Sequence, residues 1–157
     1  MELTTKSIYE DYKELVSGRY YWLIFLIMST IFIFMGVAAG SLAMGIFMSV
    51  AMGIFMIGST FSTNKALKRL KNGDFIIYFD MLTYKHSSRS YKKQTTKFLI
   101  QSEKLFKSKK DVLSTLYDRV EVGHPFAAVY AGKKLIMFYD MTTCSLSPEL
   151  YGKVKQL

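Results

Sequence analysis

The sequence predicts a membrane α+β protein. Its parts would be a two-helix transmembrane hairpin, then a small β-barrel or curled antiparallel sheet, then a short C-terminal helix. Three observations carry this. From Tyr20 to Asn64 there are 45 consecutive residues without Asp, Glu, Lys, Arg or His. Beyond that run come short aromatic and β-branched segments separated by polar or Gly-containing turns, the signature of strands. The charge is also divided: 18 of the 21 Lys and Arg follow the run with eight acids, giving +10, whereas residues 1–19 hold three bases and four acids, giving −1. A disulfide framework is excluded because Cys144 is the only cysteine, and an aromatic content of 15% argues against disorder.

Residues 1–19 form the first unit, an amphipathic helix. Ser7-Ile8-Tyr9-Glu10 has the pattern of a capping box, and Ile8, Tyr12, Leu15 and Arg19 share one face. Residues 20–61 form the second, with spans at 20–39 and 42–61. A span takes about 20 apolar residues, so the run holds two, and Gly40-Ser41 is where the chain reverses. A re-entrant hairpin in one leaflet is the rival arrangement. Lys65, Lys68 and Arg69 follow the second span and Arg19 precedes the first, while the turn carries no charge. Basic residues near span ends stay cytoplasmic, which places both termini inside a cell membrane crossed twice. Arg19, Tyr20, Trp22, Lys65, Lys68 and Arg69 are the expected interface anchors.

Small residues recur at helical spacing, and Gly36, Gly40, Gly45, Ser49 and Gly53 are the candidates for close helix packing. They either zip the hairpin shut or mate with another copy. The hexapeptide Ala43-Met44-Gly45-Ile46-Phe47-Met48 returns as Ala51-Met52-Gly53-Ile54-Phe55-Met56.

Residues 62–73 extend the second helix into water until Asn72-Gly73-Asp74 stops it. Residues 74–157 form the β-rich unit. Its strands are expected at 75–84, 91–100, 119–122, 126–130 and 135–143, with turns at His86-Ser87-Ser88, Gly123-His124-Pro125 and Gly132-Lys133-Lys134. Ser147-Pro148-Glu149 opens the C-terminal helix on Leu150, Val154 and Leu157. Ile76 to Tyr84 resembles Ile136 to Cys144, an echo that two strands about a pseudo-twofold axis or shared strand composition would explain equally well.

The catalytic inventory is thin. His86 and His124 fall in expected turns, no Cys/His cluster has metal-ligand spacing, and no phosphate loop or nucleophile elbow is present. Asp80 and Asp140, ending similar strands, are the one conceivable carboxylate pair. No catalytic residue, metal or cofactor is therefore expected. The basic stretch Lys85 to Lys110 stands above background. In it Arg89, Tyr91, Lys92, Lys93 and Lys97 are candidates for a phosphate-bearing ligand or an anionic surface. The expected partners are the anionic inner leaflet, a protein partner or a second copy, and an anionic nucleotide, with no specific nucleic acid.

The arrangement from Tyr20 to Thr143, with Val120-Glu121-Val122-Gly123 followed by Phe126, resembles bacterial two-span hairpin proteins with a small cytoplasmic β-domain. Among these are the β-barrel effectors of cyclic-nucleotide anti-phage signalling. Two roles are expected. The missing catalytic constellation and the small-residue stripes point to a non-enzymatic membrane-anchored adaptor or accessory subunit. The resemblance to the effectors implies the other, a ligand-gated effector whose β-domain binds a nucleotide and drives assembly of the helices.

Overall fold

A computed structural model describes residues 1–17, 21–90 and 95–156; for Ser17, Tyr21 to Ile24, Phe55, Met56 and Ser59 it describes the backbone alone. The chain divides into two units: Met1–Tyr12 with Arg69–Leu157, and Lys13–Lys68.

The second unit is a helical hairpin. Helix α2 (Tyr21–Ala38) turns through three residues into α3 (Leu42–Lys71), whose last residues belong to the first unit. Gly40 sits at φ 69°, the Ser41 N–H donates to the Gly36 carbonyl at 2.8 Å, and the Gly40 N–H to Val37 at 3.0 Å. This is a Schellman cap, and it needs the left-handed conformation that glycine adopts freely.

The helices correct the membrane expectation. Among the described residues, no helix is long and apolar enough to cross a membrane. The turn takes residues 39–41, leaving α2 with 18 described residues and α3 with 30, whose last seven carry Lys65, Lys68, Arg69 and Lys71. The spans at 20–39 and 42–61, the cytoplasmic termini and the cell-membrane location are set aside. The anchoring role assigned to Lys65, Lys68, Arg69 and Trp22 goes with them; Arg19 and Tyr20 lie outside the described residues. The roles of membrane-anchored adaptor, accessory subunit and ligand-gated membrane effector fall as well.

The first unit is built on an open sheet. Strand β1 (Glu2–Leu3) is followed by α1 (Thr5–Ser17), and after the hairpin come β2 (Ile76–Ser90), β3 (Thr95–Ser102) and β4 (Lys110–Val112). A single helical turn α4 (Ser114–Tyr117), β5 (Pro125–Ala131), β6 (Lys134–Asp140), β7 (Ser145–Leu146), a 3₁₀ segment (Pro148–Lys153) and β8 (Val154–Lys155) complete it. Strand order is β4-β3-β2-β5-β6, all antiparallel, with β8 lying parallel to β2. Among the described residues no ladder joins β4 to β6, so the expected barrel is not closed; closure would require those edges to pair.

Strand β2 is the spine. Its first six residues pair with β5, from Ile76↔Tyr130 to Met81↔Pro125, and from Leu82↔Ser102 to Ser90↔Thr95 it pairs with β3, with a register shift at Thr83. Strands β5 and β6 are buried on both faces, which is why Phe-Ala-Ala-Val and Ile-Met-Phe-Tyr read as continuous apolar runs. Phe126 meets Phe138 edge-on at 5.2 Å at the centre of the core, with Phe106 against Phe138 at 6.0 Å.

Helix α1 begins at Thr5, inside the expected stretch, but its cap lies three residues before the expected one. The Ser7 N–H donates to Thr4 Oγ1 at 3.1 Å and the Thr4 N–H to Ser7 Oγ at 2.9 Å. The reciprocal cap is therefore Thr4 with Ser7, not Ser7 with Glu10. Ile8 and Tyr12 are buried, as the amphipathic pattern requires. The C-terminal helix is replaced by the 3₁₀ segment, with Ser147 at its N-cap position but giving no side-chain cap bond, Pro148 at its first residue, and β8 at its end. His86-Ser87-Ser88 is strand rather than turn, and residues 119–122 form no strand.

Candidate functional site

Three places have chemistry to consider: the basic ribbon, the acidic strand ends and the hairpin surface. The ribbon is the outer part of β2 and β3. Tyr91, Lys92 and Lys93 lie outside the described residues. Arg89 pairs with Thr96 and Lys97 with Ser88, and directly opposed residues share a face while successive ones alternate. Arg89 and Lys97 therefore point to opposite faces, and no single pocket can use both.

Lys85 is spent on structure. Its Nζ donates to the Val120 carbonyl at 2.9 Å, lies 3.3 Å from Glu121 and sits 4.6 Å from the Tyr117 ring centroid. Lys109 lies 4.5 Å over Tyr84. Of the described bases in this stretch, Arg89 and Lys97 thus diverge, and Lys85 and Lys109 make contacts within the fold.

Asp80 and Asp140 occupy one row of the sheet, Asp80↔Phe126↔Asp140. Two strand spacings put their Cα atoms about 10 Å apart with a phenylalanine between, so they are not a working pair. Asp80 accepts backbone N–H groups of Met81 at 2.8 Å, Lys104 at 3.0 Å and Leu105 at 2.6 Å. Burial pushes its carboxyl up, but hydrogen bonds from Ser102, Leu105, Lys104 and Met81 outweigh that and hold it below the usual range. It is the clamp of the 103–106 loop.

Asp140 accepts from His124 Nδ1 at 2.7 Å and from Thr142 N and Oγ1 at 2.9 and 2.6 Å. Burial again raises it, and the Thr142 and His124 bonds prevail and lower it. An ionised carboxylate only accepts, so His124 carries its proton on Nδ1 and ties the 123–125 turn to the 140–142 turn. Among the described residues no three His, Cys, Asp or Glu converge as a metal site. Cys144 is half-buried, with Thr143 Oγ1 at 3.7 Å from its sulfur.

The hairpin spends its small residues internally. A Cβ on Gly36 would stand 2.9 Å from the Gly45 backbone, and one on Gly45 would stand 2.6 Å from the Phe32 carbonyl oxygen. Ser49 Oγ reaches the Ser29 carbonyl at 3.3 Å, and a Cβ on Gly53 would meet the Phe25 ring at 3.5 Å. Gly36, Gly45, Ser49 and Gly53 thus line the seam between α2 and α3, and Gly40 makes the turn.

The large side chains are left outside. Phe34 is 77% exposed, and Phe47, Val50, Ile54, Ile57 and Phe61 are between 55% and 70% exposed. An open apolar groove of about 450 Å³ runs along α2, lined by Thr30, Ile31, Phe34, Met35 and Ala38. The sequence reading singled out the small residues and missed this stripe. In an all-apolar run, only knowledge of the face consumed by the hairpin reveals the one left over.

The fold and site define an α+β protein with an open antiparallel sheet and an apolar helical hairpin inserted after its first helix. No family model, no curated protein and no solved structure matches the chain.

Proposed function

We propose that the chain is a non-enzymatic assembly protein whose hairpin is its docking element, covered by an apolar partner surface in the working state. The exposed face of the hairpin carries this reading. Phe34, Phe47 and Phe61, at 77%, 70% and 69% exposure, together present roughly 300–550 Å² of aromatic surface, since each such side chain has roughly 150–250 Å² to bury. Aromatic surface on this scale, with Val50, Ile54 and Ile57 exposed beside it, is what a hairpin covered by a partner would present. The acidic groups support the non-catalytic part, because Asp80 and Asp140 have their oxygens committed to backbone and turn partners.

Sedimentation velocity on the full chain tests it. A defined assembly is expected, dispersing when Phe34 and Phe47 are both replaced by Gln with helical content retained. A well-folded monomer at every concentration, binding no apolar dye, would overturn the proposal.

A further inference from the structure

Phe47, Val50, Ile54, Ile57 and Phe61 are separated by three, four, three and four residues, and all five face outward. A spacing averaging 3.5 residues keeps one stripe along one side of a helix, and it is the spacing by which a helix meets another helix, knobs into holes. Leu42, Met44, Ile46 and Met48 are exposed as well, at 42–65%, but from Val50 onward the exposed large apolar residues among those described are Val50, Ile54, Ile57 and Phe61, all in this phase. The stripe also lies on a different part of α3 from the glycines and serine that face α2, so forming the hairpin leaves it free.

The area is sufficient for a helix pair. At these exposures two Phe, two Ile and one Val offer roughly 500 Å² per copy, about 1,000 Å² for two copies, which reaches the lower bound of a specific interface.

We infer that α3 pairs with α3 of a second copy, antiparallel about a twofold axis at Ile54. Resting on the docking reading above, this names the partner. Symmetry then sets Phe47 opposite Phe61 of the second copy and Val50 beside Ile57 of the second copy, so the stripe complements itself, as an isologous contact must.

Charge selects the direction. Beyond Phe61 the helix continues through Lys65, Lys68, Arg69 and Lys71, whereas its beginning at Leu42 carries no charge. A parallel pair would set these cations against their own copies. An antiparallel pair places them at opposite ends of a helix of 30 residues, about 45 Å long, far beyond a screening length of about 8 Å.

The test uses the full chain with Cys144→Ser, so that each added cysteine is the only one. Under mild oxidation Ile54→Cys is expected to form a covalent dimer with itself. Phe47→Cys mixed with Phe61→Cys is expected to cross-link efficiently, and Phe47→Cys alone poorly, because its sulfurs would be 14 residues of helix apart, about 21 Å. Efficient cross-linking of Phe47→Cys alone would overturn the antiparallel pairing in favour of a parallel one. Assembly in sedimentation without any cross-link would overturn the α3 pairing while leaving the docking reading intact. Binding only to phospholipid vesicles, again without cross-links, would give the stripe to lipid and overturn the pairing. A stable monomer would overturn both proposals.

Discussion

Replacing Asp80 with Ala tests the claim that this carboxylate is a structural clamp. The substitution removes the acceptor of the Met81, Lys104 and Leu105 N–H groups, bonds of 2.6–3.0 Å. A donor left without its partner costs about 1–3 kcal/mol, with the low end applying where water can reach it. Three donors at the lip of an exposed loop therefore amount to about 3 kcal/mol. With a urea dependence of about 1–3 kcal/mol/M, the unfolding midpoint of the β-rich unit should fall by about 1–3 M. Asp80→Asn keeps one acceptor oxygen and should lose about half as much.

Acid provides an independent check. The Asp80 carboxyl titrates lower in the folded chain than its unfolded value of about 3.9, so its stabilisation is complete above that pH. It is lost as pH falls through the lower folded value. The stability difference between wild type and Asp80→Asn should accordingly be constant from neutral pH down to about pH 5 and shrink below about pH 4. Urea titrations at several pH values measure it. A difference that stays constant into strong acid, or an Asp80→Ala chain as stable as wild type, would refute the clamp.

Three further outcomes follow from the geometry. Gly45→Ala drives a methyl against the Phe32 carbonyl oxygen and should destabilise the hairpin by about 1–3 kcal/mol in thermal melts followed by circular dichroism. Gly58→Ala, with nothing near its Cβ, should raise stability by up to about 1 kcal/mol through helix propensity. Tyr139→Phe removes the hydroxyl that donates to Asp11 at 2.8 Å and should cost about 1 kcal/mol, with faster hydrogen exchange in α1 as the specific readout. In wild type, burial and the Asp11 bond push the Tyr139 phenol upward, so no loss of this contact is expected at mildly alkaline pH.

Local features were legible in the sequence where one residue type has one strong backbone preference. Gly40 and Gly73 end their helices at φ 69° and 67°, where the turn and stop were expected. The echo between residues 76–84 and 136–144 is also meaningful, though not as a twofold relation. Strands β2 and β6 run parallel on either side of β5, and matched residues fall in one row: Ile77↔Val129↔Met137, Tyr78↔Ala128↔Phe138, Asp80↔Phe126↔Asp140.

What escaped the sequence depends on distant partners. His86 to Ser90 have turn-like composition yet are strand, because β3 supplies a ladder that local preference cannot anticipate. Whether a sheet closes is decided by its two edge strands, and neither β4 nor β6 announces its free side. The length of the uncharged run was plain, but its division into an inner and an outer face came from which glycines met across the hairpin.

The link between Asp11 and Tyr139 spans 128 positions along the chain. A ribosome adding about 5–20 residues per second makes them roughly 6–26 seconds apart. During that interval the first helix lacks its sheet, while the whole uncharged segment has already emerged. A contact this distant in sequence can close only late in folding, after the intervening chain is ordered. The newborn chain therefore displays its stickiest surface before its β-rich unit can exist. If the hairpin assembles as proposed, that assembly would begin on unfinished chains, making synthesis rate and chaperone supply as decisive for yield as the stability of the finished fold.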